Sequence, residues 1–505
     1  MVGPVTNSKL MLSGGDLSIE RISALAGGPL SLDLEPDSWR RIAAARDIVE
    51  RRLRSGAPVY GATTGIGSQK DVAVTADRLT DFSDRMIVSE ATDFPGEPFP
   101  EGVVRAALLV LLNNIARGRT GVRPIVAERL LELLRSARMP RVRRDTSYGV
   151  ADLTPLSQLS LALLGRSLDG DDPVLGSALR LAPKESVSLI DNNSFALGHG
   201  ALVLAEAQRL LDMFDLASAA ALEGLRGGMS PHSLSAAGDR PGTGHGRSRE
   251  NLLNALEGSA LHRPGEARFL QDPLSFRSIT QIHGAAHETW QWAKQQFEAE
   301  INSSVDNPLV DLETGQLLTS SSMISLLPVL SLDSLRQALA KVAISSTERA
   351  IKLQSPPFSG LPVGLSEEAA PDGGVLSINL NYIGAARMGT LLTAAAPVLL
   401  HYVGHTADGV EDVSTLTPLS VAQTESLLAR AWEIVSLEMA IAVWAIARRR
   451  LPVGELGAGV RMVYRTIRPL LPIGEEGTRV FDMTRIVSAV QGASLHAPRA
   501  PSGGP

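Results

Sequence analysis

The stretch Pro140-Arg-Val-Arg-Arg-Asp-Thr-Ser-Tyr-Gly-Val-Ala-Asp-Leu-Thr-Pro-Leu-Ser-Gln-Leu-Ser-Leu-Ala-Leu-Leu-Gly165 decides how the rest of the chain is read. A basic, turn-prone segment, Arg141 to Gly149, runs into Asp152, a residue type suited to capping a helix N-terminus. Pro155 falls in the first turn, where its missing N–H is tolerated. Leu156, Leu159, Leu161, Leu163 and Leu164 then continue as an apolar run of helical length. The pattern predicts a loop ending in a helix start, a place where backbone N–H groups can face a ligand.

Outward from this stretch, composition sets bounds. The chain has 505 residues, enough for a large core or two to three domains. A formal net charge of −6 over that length is mild and argues for neither nucleic acid nor a membrane surface as partner. There is no cysteine, which excludes disulfides, thiolate ligands and a cysteine nucleophile and fits a cytoplasmic protein. The N-terminus lacks the basic-then-apolar pattern of a signal peptide, and no apolar run reaches membrane-spanning length.

In chain order, short helices are expected at Asp16–Ala26 and Asp37–Ser55, followed by the glycine-rich loop Tyr60-Gly-Ala-Thr-Thr-Gly-Ile-Gly67. Three glycines in eight residues let the backbone approach a ligand, but Lys70 is misplaced for a phosphate-binding loop. Helices follow at Thr75–Glu90 and Val103–Arg117, and a turn at Gly118–Pro124 leads into another that runs to about Arg138; a polar link is expected at Asp169–Gly176. From about Gly198 the runs lengthen: Ala201–Leu225, Ile279–Ile301, Leu332–Leu353, Asn379–Val403 and Pro418–Ala447. Several are alanine- and leucine-rich on more than one face, as in helices buried among others. The expected organisation is mainly α: an N-terminal region, 1–197, carrying the loops; a long-helix bundle, 198–490; and a disordered tail, 491–505.

The ordered motifs resemble those of the histidine and phenylalanine ammonia-lyase and aminomutase family, from about Gly15 to Ser426. Tyr60-Gly-Ala-Thr-Thr-Gly-Ile-Gly67 is similar to that family's Tyr-Gly-Val-Asn-Thr-Gly-Phe-Gly loop. Pro183-Lys-Glu185, Leu222-Glu-Gly-Leu-Arg-Gly227, Gln271-Asp-Pro-Leu-Ser-Phe-Arg277, Gln281-Ile-His-Gly-Ala285 and Glu300-Ile-Asn-Ser-Ser-Val-Asp-Asn-Pro-Leu-Val310 follow in the family's order. The resemblance implies a superhelical long-helix bundle, a homotetramer whose active sites draw loops from three subunits, and a small-molecule substrate. It also implies that Tyr60 is the catalytic base, that Arg277 grips the substrate carboxylate and that Gln281 lies in the site.

The family cyclises an Ala-Ser-Gly triad into the electrophile 4-methylideneimidazol-5-one (MIO). Aligning Asp152-Leu-Thr-Pro-Leu156 puts Gly149-Val-Ala151 on the triad, and Val150 has no hydroxyl to eliminate. The expectation is therefore an enzyme without this prosthetic group. Other site positions also differ: Asp191-Asn-Asn193 stands for Asn-Gly-Thr, Leu274 for a tyrosine, Ser321-Ser-Met-Ile-Ser325 for Gly-Asn-Phe-His-Gly, and Asp408-Gly-Val-Glu-Asp412 covers the Asn-Gln-Glu-Asp segment.

The candidate catalytic residues are thus Tyr60, Tyr148 and Ser147, with Arg277, Gln281, Asn192, Asn193, Thr146 and Gly67 binding substrate. A tyrosine serves as base once a cation or donor lowers its pKa from about 10. Arginine offers a two-pronged donor to a carboxylate. Thr146, Ser147 and Tyr148 offer hydroxyls in the room left by the missing ring. His283 and His287, four apart on a helix, have metal-ligand spacing but no evident third ligand, so a structural pair and no metal are expected. Three functions remain open. The first is ring-independent elimination, addition, cyclisation or isomerisation on an amino-acid-derived carboxylate. The second is an ammonia-lyase or aminomutase with an atypical ring at Thr146-Ser-Tyr148. The third is a silent homologue that binds without turnover.

Overall fold

Helix formation follows the apolar spacing nearly throughout. The structure, a computed structural model, describes residues 10–170, 174–236, 242–366, 379–474 and 479–492. The tail from 493, and residues 171–173 of the expected polar link, lie outside the described residues. The long helices are Ser194–Leu225, Ile279–Ile301, Leu327–Leu353, Asn379–Ala394 and Thr417–Arg448. Among the described residues, strands are confined to two small two-stranded sheets, Leu10–Leu12 with Leu32–Leu34 in parallel and Leu309–Asp311 with Gln316–Leu318 antiparallel. The mainly α expectation therefore holds. No helix among the described residues is long and apolar enough to cross a membrane.

Three boundaries of the long helices differ from the sequence reading by more than one residue, two of them at a proline; the third, expected at Ala201, lies at Ser194, ahead of Gly198 and Gly200, which interrupt the apolar spacing. The helix expected from Leu332 starts at Leu327, because Pro328 sits in its first turn, where a missing N–H is tolerated. The run expected to Val403 stops at Ala394, because Pro397 cannot continue it and disfavours helical backbone just before itself.

The chain divides into two compact units. The first comprises Met1–Ala205, Ala293–Leu332 and Val398–Ala422; the second comprises Glu206–Trp292, Asp333–Pro397 and Gln423–Pro505. In the first, the helix Glu101–Ala116 is buried on every face from Val103 onward, as its uninterrupted apolar sequence requires. Gly198 lets a second helix approach it closely, since a Cβ there would fall 2.5 Å from the Ala107 nitrogen. In the second unit, residues 431–446 of Thr417–Arg448 are almost wholly buried, and the one acid among the innermost of them, Glu438, is paired with Arg349.

Candidate active site

Within the first unit, three loops converge around Tyr60. The Tyr60 hydroxyl accepts the Gly67 N–H at 3.0 Å, so Gly67, expected to bind substrate, serves the tyrosine instead. Gly67 needs its positive φ of 54°, and a Cβ there would crowd the Ala407 Cβ at 3.1 Å. The Ala407 loop carries Thr406 and Glu411, which bond each other at 2.7 Å, and Tyr148 donates to Glu411 Oε2 at 3.1 Å. Of the eight described non-glycine residues with positive φ, five flank this cluster: Asp145, Lys184, Ala407, Asp408 and Leu416. Backbone strain of this kind collects at functional sites, where the surroundings over-determine it.

The electrostatics reverse one expectation. Tyr60 was expected to be primed as a base by a nearby cation or donor. Burial instead raises its pKa, the Gly67 N–H opposes this, and the charges of Asp191 and Glu411 raise it further. Tyr148 is raised in the same way, by burial and by Glu411. Both phenols are therefore neutral at rest, among carboxyl groups.

Asp191 closes the helix Glu185–Ile190 and is buried. Burial, then the Asp306 and Glu411 charges, push it up to about 8, against the pull of Lys184 and an Asn307 hydrogen bond. Lys184 is itself wholly buried and gives its protons to Thr120 O at 2.8 Å, Ser188 Oγ at 2.8 Å and Asp306 Oδ2 at 2.7 Å. Asn192 is committed to backbone, donating to Ser188 O and Leu189 O and accepting from Ser194 N. Asn193 is different: both its amide atoms are buried without a partner among the described residues, the state expected of a group awaiting a ligand or water.

The hydroxyls of the central loop divide. Tyr148 joins the Tyr60 cluster, whereas Thr146 donates to Arg143 O, and Ser147 donates to Ala151 O and to Asp152 Oδ1 at 3.1 Å. Thr146 and Ser147 line a mainly apolar cavity of about 310 Å³ with Phe99, Phe195 and Leu416, and Tyr148 borders it too. Asp152 does not cap its own helix, Leu153–Ser160; its carboxylate accepts the Ala196 N–H at 2.7 Å, near the start of Ser194–Leu225. Burial raises it to about 6, with the Ala196, Ser147 and Phe195 hydrogen bonds opposing.

In the second unit, Arg277 and Gln281 line a cavity of about 800 Å³ with Gln271, Asp272 and Leu274. Arg277 donates to Gln271 Oε1 at 3.2 Å, forms no ion pair among the described residues and keeps its Nε without a partner. Gln281 accepts from Thr280 at 3.2 Å. His283 and His287 both bind Asp215, each at 2.9 Å. Burial works to raise Asp215, but His287 and His283 outweigh it and hold the carboxyl below its usual range. Asp212, Asp215 and His287 bring metal-ligand atoms within 4.8 Å of one another, yet the Asp215 oxygens already accept from both histidines, Ser248 and Asn251. The cluster is built as a hydrogen-bond hub.

Residues 17–469 match the aromatic amino acid lyase family. The chain belongs to that family. Among its relatives is histidine ammonia-lyase of Alkaliphilus metalliredigens, 30% identical over 95% of this chain and 96% of the relative. The ergothioneine-degrading ergothionase of Treponema denticola superposes with a TM-score of 0.90 at 25% identity, covering 96% of this chain and 99% of that one. Phenylalanine aminomutase of Pantoea agglomerans gives 0.87 at 23% identity, over 95% and 98%. The fold is that of the lyase family, as its motifs implied, and the chain is an enzyme of that family.

Two members of the Tyr60 cluster escaped the sequence reading. Glu411 was passed over in a segment counted as changed, although Glu411-Asp412 keeps the last two letters of Asn-Gln-Glu-Asp. Asp191 was read with its two neighbours as a polar group that orients ligand, with no sign that burial would alter its charge.

Proposed function

We propose that this lyase-family enzyme works without the MIO ring, moving a proton at Tyr60 on a small, amino-acid-derived substrate; the family resemblance, in which loops of three subunits form each active site, gives Arg277 the substrate carboxylate. The observation that carries the reading is the triad position itself. Val150 has no hydroxyl to lose, and the Tyr148 and Gly149 carbonyls are occupied by Leu416 N–H at 3.1 Å and Thr415 Oγ at 2.7 Å. Residues 149–151 do not fit the ring, and no step is drawn through it. Arg277, free of ion pairs among the described residues, keeps guanidinium protons for a two-pronged carboxylate contact. Tyr60 enters neutral. As its oxygen takes a carbon-bound proton, its own proton passes to the Glu411 carboxylate, and the C–H electron pair forms the new double bond. The homotetramer that the family resemblance implies, in the cytoplasm that a chain without cysteine fits, is proposed as the working form.

Intact mass with peptide mapping across 140–156 comes first; a deficit of two waters would restore the ring and end this reading. Tyr60→Phe follows, with histidine, phenylalanine and ergothioneine as probes. It removes one hydrogen bond, so stability should fall by only about 1 kcal/mol, while turnover of any probe the parent converts is lost. Near-normal turnover in a folded Tyr60→Phe protein would refute the role.

A further inference from the structure

We propose that Asp191 is held as a neutral carboxylic acid in the resting enzyme and is the proton donor to the departing group, working with Tyr60. The proposal rests on the Tyr60 reading above and adds the acid to its base.

The argument is a count of charges and donors. Asp191 is buried at the end of Glu185–Ile190, with the Asp306 and Glu411 carboxyl groups near enough to act on it. The cation whose charge acts on it is Lys184, and its three protons are spent on Thr120, Ser188 and Asp306. Arg46, whose charge acts on Lys184, is taken by Glu50, Gly121 O and Pro183 O. The buried cation therefore balances Asp306 and leaves none dedicated to Asp191 among the described residues. A buried carboxyl group beside two others, without a cation of its own, keeps its proton. Burial and these neighbours place its titration at about 8. A neutral carboxylic acid has the shape of the asparagine that the family resemblance places here. Unlike the amide, it can release its proton.

The step balances as follows. Tyr60 oxygen takes the carbon-bound proton and passes its own to Glu411; the C–H pair becomes the π bond. The bond to the leaving heteroatom breaks with its electrons on that atom, which takes the Asp191 proton. Glu411 is left protonated and Asp191 ionised, and one proton moving between the two carboxyl groups restores the resting state. Such a donor suits a leaving group that departs only with a proton, such as the hydroxyl of a 2-hydroxy acid. An ammonium departs as neutral amine without it.

The test has a substrate-free arm and a kinetic arm, both on the full chain. Infrared difference spectra of the parent between pH 6 and pH 10 should contain a protonated-carboxyl band that disappears through about pH 8. The band should be missing in Asp191→Asn. Its absence from the parent, or its survival in the variant, overturns the proposal whatever the probes do. Kinetics use phenylalanine and 2-hydroxy-3-phenylpropanoate, followed by absorbance of the unsaturated acid. Asp191→Asn should lower kcat on the hydroxy acid by roughly 100-fold or more, the range of general-acid effects. KM should stay within a few-fold and the amino acid should suffer far less. Equal losses on both probes would mean a structural role and overturn the donor assignment, as would failure of the parent to convert the hydroxy acid. Turnover surviving Tyr60→Phe but lost in Asp191→Asn would sink the Tyr60 reading and leave the acid standing.

Discussion

Lys184→Met removes the one charge that the buried floor beneath Asp191 is built around. Lys184 and Asp306 are both wholly inaccessible, 2.7 Å apart, and the lysine backbone is held at φ 76°, outside the usual range for a side-chain-bearing residue. Burial lowers Lys184 and raises Asp306, while their attraction opposes both shifts. Methionine matches the stem's bulk but leaves Asp306 with only the Ser188 hydroxyl at 3.0 Å and the Asn307 N–H at 2.8 Å. Removing one partner of a buried ion pair strands the other charge and costs about 3–5 kcal/mol. Urea unfolding at pH 7 of the parent, Lys184→Met, Asp306→Asn and the double variant measures this directly. The double variant should lose no more than the worse single, because the stranded charge is gone. The pH dependence has a definite sign. In Lys184→Met the folded pKa of Asp306 rises further above its unfolded value. The penalty is thus absent below the unfolded pKa and grows as pH rises, so the deficit should shrink between pH 7 and pH 4.5. A loss under about 1 kcal/mol, additive costs in the double variant, or a deficit unchanged with pH would each refute the reasoning.

Two further outcomes separate structural from functional charge. Arg277→Ala should change stability by no more than about 0.5 kcal/mol, since no ion pair is broken, yet weaken binding of a carboxylate probe such as phenylalanine by at least about tenfold; calorimetry with a large stability loss and unchanged affinity would reverse the assignment. His232 has both ring nitrogens buried without partners, and burial, then His283 and Arg349, hold its pKa down at about 4 from 6.5. Its unfolded form takes a proton first as pH falls, so the parent should lose up to about 3 kcal/mol between pH 6.5 and pH 4. His232→Leu should escape that loss, and parallel stability curves for the two proteins would refute the shift.

Much of the fold was legible because it is local. Apolar spacing marks Ile279–Ile301 to the residue; the errors at Leu327 and Ala394 fall at prolines, where spacing alone does not say whether a run starts early or stops, and the one at Ser194 falls where Gly198 and Gly200 interrupt the apolar pattern. The site was legible only where one residue carries the chemistry. Tyr60 and Arg277 stand in short motifs, and each retains a feature suited to its role. What spacing could not supply is the partner. His283 and His287 read alike as metal ligands or as a structural pair, because the residue that decides between them, Asp215, lies 68 and 72 positions away. The same limit explains why Asp191 was underrated. In sequence, aspartate for asparagine looks like the loss of a neutral donor and the gain of a charge. Folding brings Asp306 and Glu411 beside it and commits Lys184 elsewhere, so the carboxyl group keeps its proton and the neutral donor is retained. On the proposal above, the substitution that reads as damage to the site keeps a neutral donor there and adds a transferable proton, the one property that an enzyme with valine at position 150 would gain most from having.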